Sequence, residues 1–385
     1  MMRTFKHSML AALVGLGCLC GSAAAANPGA DDAAIYSFAF FGCNRLNKEG
    51  VDATGFTSTA NEAQLLQSFR DIAAQPVLPR LLFLAGDIVK GKKPGTKTLA
   101  KQLDAWVELA ADPQKNPLVA KGVPMVAFTG NHELLVNKED SDVCKYWQCP
   151  NPPAYRYWQE FMENNPAGYD FIAGHNGPKK GGADGLLVDE TRLSYSFRNE
   201  DVLFVVLNTD TMIDSYTIGD VPMYWLGKQL RKAQKDKTIR HVFVMGHKPL
   251  QNAAADDHED PGNPAIRPEQ AEALYRLLND PAGDGSATKV RAYLAAHAHE
   301  WRFAPGLTFG DYTGKVPQVV AGNGGSPPES TWRGKDAYFG YTMVEILRDG
   351  RIAAKSYGRP INDPYFEQKD GVTTLRARQE LFLPR

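Results

Sequence analysis

Apolar positions along the chain follow two rhythms. Short runs rich in β-branched and aromatic residues, bounded by glycine, proline or polar clusters, predict buried strands at 34–41, 81–85, 123–128, 193–197, 202–208, 241–245, 291–295, 318–321 and 341–347. Between several of these the apolar positions recur every three or four residues, as at Ala63, Leu65, Leu66 and Phe69. That spacing predicts helices over 61–74, 98–110, 224–233 and 268–278. Strands alternating with helices predict an α/β fold with a mainly parallel, helix-covered sheet.

The rhythm breaks between Glu133 and Glu190, where Tyr146, Trp147, Tyr155, Tyr157, Trp158, Phe161 and Tyr169 stand among prolines and glycines. So long a stretch without clear periodicity is seldom a plain connection, and its aromatics favour order. It predicts a cap or substrate-side insertion over about 134–190. No Gly/Ser or Pro linker divides the rest, so 27–385 reads as a single domain.

The first residues change the compartment rather than the fold. Arg3 and Lys6 precede an apolar run from Met9 to Leu19 and the small residues Ala23 to Ala26, the pattern of a signal peptide over 1–26. Export to the periplasm or the exterior is the expectation. The run is shorter than the ~20 apolar residues of a transmembrane helix. A lipid anchor on Cys18 or Cys20 is the less favoured alternative, since neither follows the small-residue pattern of an attachment site.

Charge and cysteine content narrow the partners. The formal net charge is −1, with acids and bases mixed along the chain, so no basic block for nucleic acid or an anionic membrane is evident. Nothing in the sequence sets the oligomeric state. Beyond the leader the cysteines are Cys43, Cys144 and Cys149. In an oxidising compartment the close pair predicts a Cys144–Cys149 disulfide and leaves Cys43 over, as a buried apolar residue or a ligand.

Four polar motifs stand directly after predicted strands, where open α/β sheets place their ligand crevice: Gly86-Asp87, Gly130-Asn131-His132-Glu133, Gly246-His247 and His297-Ala298-His299. Each alone is weak, since Gly-Asp is usually a turn and many histidines are merely half-buried. Together, Asp87, Asn131, His247, His297 and His299 offer the oxygen and nitrogen lone pairs that a divalent metal takes, and a carboxylate can bridge two metals.

In this order and context the motifs resemble the calcineurin-like metallophosphoesterase family, in particular its exported, purple-acid-phosphatase-like branch. Leu207-Asn208-Thr209-Asp210, Trp225-Leu226 with Leu230, His247-Lys248-Pro249-Leu250 and Gly322-Asn323-Gly324-Gly325 add to the likeness, which runs from Phe38 to about Ser356. The resemblance implies a two-sheet, four-layer β-sandwich flanked by helices, with metals at the strand ends. It implies that Asp87 bridges two metals, that Asn131, His247 and His297 complete one shell, and that His299 binds the other ion. One or two divalent or trivalent ions (zinc, iron or manganese) and a small phosphorylated substrate follow, with hydrolysis of a monoester or diester by metal-generated hydroxide. His132, beside Asn131, is implied to protonate or stabilise the leaving oxygen.

The first motif departs from the family. Where its members carry Asp-x-His or a Gly-Asp-x-Arg form, this chain has Gly42-Cys43-Asn44-Arg45. A cation there would be held by Cys43 as thiolate, with Asp87 and His299, or the position is vacant. Arg45 stays protonated and binds no metal, but its paired donors suit a substrate phosphate. Lys90 stands where purple acid phosphatases carry a ligand Tyr, so no tyrosinate colour is expected, and it faces phosphate or solvent. The altered motif keeps open a non-catalytic exported protein that binds a metal or a phosphorylated ligand. A metallopeptidase is remote, for no His-Glu-x-x-His is present.

Overall fold

The structure is a computed structural model, and it describes residues 33–46, 62–92, 95–142, 144, 148–164, 175–213, 220–252, 265–329, 332, 337–361 and 375–383. The expected leader and lipid-anchor cysteines, with Tyr146, Trp147 and Tyr169, lie outside the described residues.

In chain order the elements are β1 (Ala34–Phe41), α1 (Glu62–Ala73), β2 (Leu82–Ala85), α2 (Thr96–Ala111), α3 (Pro117–Ala120), β3 (Met125–Phe128), α4 (Asn131–Leu134), β4 (Leu135–Asn137), β5 (Gln148–Pro150) and α5 (Pro152–Asn164). There follow β6 (Tyr195–Asn199), β7 (Val202–Leu207), α6 (Met223–Lys235), β8 (His241–Gly246), α7 (Pro268–Asn279), β9 (Val290–Ala295), β10 (Trp301–Ala304), β11 (Thr308–Phe309), β12 (Tyr312–Thr313), β13 (Gln318–Ala321), β14 (Tyr338–Leu347), β15 (Ile352–Pro360) and β16 (Arg376–Leu383). Among the described residues no helix is long and apolar enough to cross a membrane.

Two mixed six-stranded sheets carry the fold, in the orders β16-β15-β14-β1-β2-β3 and β10-β13-β9-β8-β7-β6. β1, β2 and β3 run parallel in the first, and β7, β8, β9 and β13 in the second. The period-two alternation of a strand explains how both faces of each sheet are buried. Phe38, Phe40 and Phe83 meet Phe204, Phe243 and Met245 in the layer between the sheets. Their neighbours Ala39, Phe41, Leu82 and Leu84 point outward to α1, α2 and α5, while Val242 and Val244 point the other way, to α6 and α7. The result is a helix–sheet–sheet–helix stack. Phe38 sits edge-on to Phe83, Phe204 and Phe243 with centroids 5.4, 5.2 and 5.0 Å away, so truncating it to Ala would cost about 3–5 kcal/mol.

The stretch after Glu133 is more regular than its sequence suggests. It contains the β4–β5 hairpin and the 13-residue helix α5, whose Pro152 and Pro153 suit the first turn. Tyr155, Trp158, Phe161 and Met162 of α5 are buried in the same outer core as α1 and α2. These side chains pack the fold. Its helical period was hidden by the prolines and by polar residues on the outer face.

Candidate metal centre

The C-terminal ends of β1, β2 and β3 in one sheet meet those of β8 and β9 in the other. Gly42 N donates to Ala321 O at 2.9 Å, Cys43 N to Gly86 O at 3.1 Å and Ala296 N to His247 O at 2.9 Å, which binds these strand ends into one floor. A Cβ on Gly42 would stand 2.6 Å from Ala296 Cβ, so the sheets approach this closely only at glycine. Gly86 lies at φ 77°, and a Cβ there would fall 2.5 Å from His247 Nδ1.

Backbone strain concentrates at the same place. Of six non-glycine residues with positive φ among those described, Cys43 (62°), Arg45 (49°), Asp87 (54°) and His297 (63°) all belong to the site. Left-handed backbone at such residues costs on the order of 1–3 kcal/mol each and persists where surroundings enforce it.

Four candidate ligands converge in one cluster. His247 Nε2 lies 3.2 Å from Asp87 Oδ1, 3.2 Å from Asn131 Oδ1 and 3.1 Å from His297 Nδ1. All four residues are essentially without solvent contact. His247 Nδ1 lies 2.8 Å from the carbonyl of Ala85 and so carries the proton, which leaves the Nε2 lone pair for the cluster.

A second cluster shares Asp87. One ligand atom each from Cys43, Asp87 and His299 lie within 4.8 Å of one another, all buried. His299 Nδ1 donates to Pro327 O at 2.9 Å, so its Nε2 carries a lone pair, and that buried atom has no hydrogen-bond partner among the described residues. A buried acceptor without a donor is costly unless something electropositive meets it. The donor set therefore fits a cation at each position.

Arg45 and His132 both stand against Asp87. Arg45 donates through Nε to Asp87 Oδ2 at 3.1 Å, with its terminal nitrogen 3.0 Å from the same oxygen. His132 directs Nδ1 to the carbonyl of Lys90, and its Nε2 is 3.8 Å from Asp87 Oδ2. Lys90 thus contributes its backbone to the site, and its side chain is part-exposed.

Electrostatics follow from burial. Burial, then Arg45, pushes His132 and His299 well below the usual histidine range; burial, then His247, does so for His297. Neutral imidazoles are what a metal binds. Burial, then Asp87, raises the Cys43 thiol, so thiolate forms there only against a positive charge stronger than Arg45 alone supplies. For Asp87, burial is overcome by His132, His247 and Arg45, and the carboxylate stays ionised.

Sequence reading missed three residues here. Glu133 receives Asp87 N at 3.0 Å, Gly130 N at 2.7 Å and Val89 N at 3.1 Å, locking the loops after β2 and β3 together. Burial, then Asp87, pushes its carboxyl up to about 7. Gln148 and Lys92 each bring a polar atom to 3.2 Å from the Asn131 amide. Glu133 lay inside a recognised motif; nothing local marked the other two.

The sequence profile of the calcineurin-like phosphoesterase family matches residues 58–301, well over half of the chain. The chain belongs to that family. Among solved structures, the chain is similar to a purple acid phosphatase from yellow lupin (Lupinus luteus) seeds, at 16% identity and a TM-score of 0.50 over 89% of this chain and 53% of that one. It therefore spans about half the length of that phosphatase. It is also similar to PhoD, at 12% identity and a TM-score of 0.54 over 91% of this chain and 70% of that one. At such identities the likeness establishes the fold, which is the metallophosphoesterase-like arrangement expected. A search of curated proteins finds no match.

Proposed function

We propose that this chain is an exported metallophosphoesterase that hydrolyses a phosphate monoester or diester of a small molecule. The observation that carries the reading is the convergence of Asp87 Oδ1, Asn131 Oδ1 and His297 Nδ1, all buried and 3.1–3.2 Å from the buried His247 Nε2, in a member of a phosphoesterase family. Asp87, Asn131, His247 and His297 would hold one ion; Cys43, Asp87 and His299 the other. What ions supply in such a site is neutralisation of phosphoryl charge and a lower pKa for adjacent water. Sulfur at Cys43 favours zinc or iron over magnesium.

The remaining chemistry falls to side chains. Arg45 has guanidinium donors beyond those spent on Asp87, and these suit a phosphoryl oxygen. His132 keeps its Nδ1 proton on the Lys90 carbonyl, so Nε2 is the atom that faces a substrate. A phosphate dianion nearby opposes the burial that keeps this ring neutral, and an imidazolium so formed delivers its proton to the leaving oxygen. Glu133 holds the Asp87 and Asn131 loops in fixed relation, so this geometry needs no reorganisation when substrate arrives.

Metal analysis of the purified chain beside a panel of aryl phosphate monoesters and diesters tests the reading, with His297→Ala as control. About two equivalents of metal and turnover are expected, with both lowered in the variant. A His297→Ala protein that keeps full metal and full activity rules the assignment out. A second reading rests on Arg45, whose guanidinium already engages Asp87 Oδ2. It is a binding protein with one ion and no turnover, and a stoichiometry of one without hydrolysis selects it.

A further inference from the structure

The amide of Asn131 can face its surroundings two ways. With oxygen toward the cluster, Oδ1 lies 3.2 Å from His247 Nε2 and Nδ2 donates to Gln148 Oε1 at 3.2 Å. Turned over, Nδ2 donates to His297 Nδ1, His247 Nε2 and Asp87 Oδ1, and Oδ1 accepts from Lys92 Nζ while also facing Gln148 Oε1, each at 3.2 Å. In that second orientation amide hydrogens occupy the space where a cation needs lone pairs, and Asn131 is no ligand. Three lone pairs and an ammonium draw the amide one way. Gln148 draws it the other.

Covalent structure places Gln148. It is buried at 2% exposure, opens β5 and pairs with Asn137 of β4. Its neighbour Cys149 is bridged to Cys144. The hairpin leaves directly from α4, which begins at Asn131, and returns to it where Asn151 N donates to Leu134 O at 3.0 Å. The disulfide closes the loop that leads into the segment bearing Gln148, and the β4–β5 pairing and the Asn151–Leu134 bond seat that segment against the helix bearing Asn131.

We propose that Gln148 is a positioning residue: held by the Cys144–Cys149 hairpin, it keeps Asn131 Oδ1 turned toward the cation and so strengthens metal binding at that position. The proposal rests on the reading of this cluster as a metal centre. Partners one step removed from a metal fix the orientation of its ligands, and their loss typically weakens metal binding about 10–100-fold.

Titration of Mn²⁺ into the metal-stripped full chain tests it, since manganese prefers the oxygen and nitrogen set over the thiol position. Gln148→Leu is expected to weaken Mn²⁺ binding by about 10–100-fold, with the metal-free unfolding transition still cooperative. Gln148→Glu keeps an acceptor toward Asn131 Nδ2 and should restore most of the affinity. The double change Cys144→Ser and Cys149→Ser should weaken binding in the native background and add little when Gln148 is already Leu. Native affinity in Gln148→Leu, a Gln148→Glu protein as weak as Gln148→Leu, or full additivity with the cysteine changes overturns the proposal. A native chain that binds no Mn²⁺ overturns the metal-centre reading itself.

Discussion

The two halves of the site share Asp87 and little else. On one side Asn131, His247 and His297 present neutral oxygen and nitrogen donors within 3.2 Å of one another, with no permanent positive charge among them. On the other, Cys43 and His299 stand with Asp87 inside a 4.8 Å triad, and Arg45 is hydrogen-bonded to that same carboxylate. Both donor sets are buried, so the difference is one of chemistry. As the cation site proposed, the first half would lose at most a proton from an imidazole. The second must ionise a thiol while a guanidinium competes for Asp87, which makes its occupancy the more conditional of the two.

Removing Asp87 erases the comparison and carries the largest expected effect. Asp87→Asn takes a charge from both halves and should lose metal from both, with kcat/KM falling on the order of 10³-fold, equivalent to about 4 kcal/mol of transition-state stabilisation. Metal content and turnover measured on the same preparation check it; an Asp87→Asn enzyme with one tightly held ion and near-native rate breaks the shared-carboxylate picture. Cys43→Ser acts on one half alone. One equivalent of metal should remain and activity should drop about 10²-fold, the smaller loss reflecting the surviving ion. Should Cys43→Ser retain both equivalents, the sulfur is a packing residue and His299 and Asp87 suffice without it.

Acid sensitivity distinguishes the site from the rest of the molecule next. His132, His297 and His299 are held well below the usual histidine range in the folded protein. Unfolded, they take up protons below about pH 6.5 that the folded chain refuses, so stability is fully present above that pH and lost as pH falls below it. Glu133, raised to about 7, works in the opposite sense, losing stability as pH rises from its unfolded value of 4.5. His247, which Asp87 raises against its burial, sides with Glu133, and His241, lowered to about 4 by burial and then Arg291, sides with the other three histidines, so four groups against two leave a net loss toward acid. Urea unfolding of the metal-stripped protein between pH 5 and 6.5 should show it, with His132→Asn shallowing the slope by up to about 1.4 kcal/mol per pH unit. A slope unchanged in that variant contradicts a neutral, buried His132.

Legibility in the sequence divided along similar lines. Strands such as Ala34–Phe41 and Gln318–Ala321 appear where alternation and β-branched content place them, because burial on both faces is written into consecutive residues. The ligand candidates were legible for a related reason, since Asp87, Asn131 and His247 each follow a glycine at a strand end and His297 and His299 form a His-x-His pair just after one. β15 and β16 were not read, because Arg359 gives no local sign that it will be buried against Gln64, Ser68 and Asp71 of α1. Gln148 and Lys92 stayed hidden for the same cause: their importance comes from where the chain returns, and neither carries a pattern of its own. The disulfide that holds Gln148 was visible, but its target was not.

Arg45 offers the smallest effect and the sharpest separation of the two halves. Arg45 is 8% exposed, and its guanidinium is engaged by Asp87 rather than left to solvent. Replacing it with Met removes the competitor from the Cys43 half and should tighten the cation there. The same change deletes donors suited to substrate phosphate, so KM should rise about tenfold while kcat moves less, the signature of lost binding common to ground and transition states. These two changes run in opposite directions, which no simple loss of folding produces. The Asn131 half has no such competitor bound to Asp87, and its metal affinity should stay put. Equilibrium metal titration beside steady-state kinetics on Arg45→Met reads both at once. A fall in kcat alone, with KM and first-half affinity unchanged, would assign Arg45 to the transition state and remove it as the reason the two halves differ.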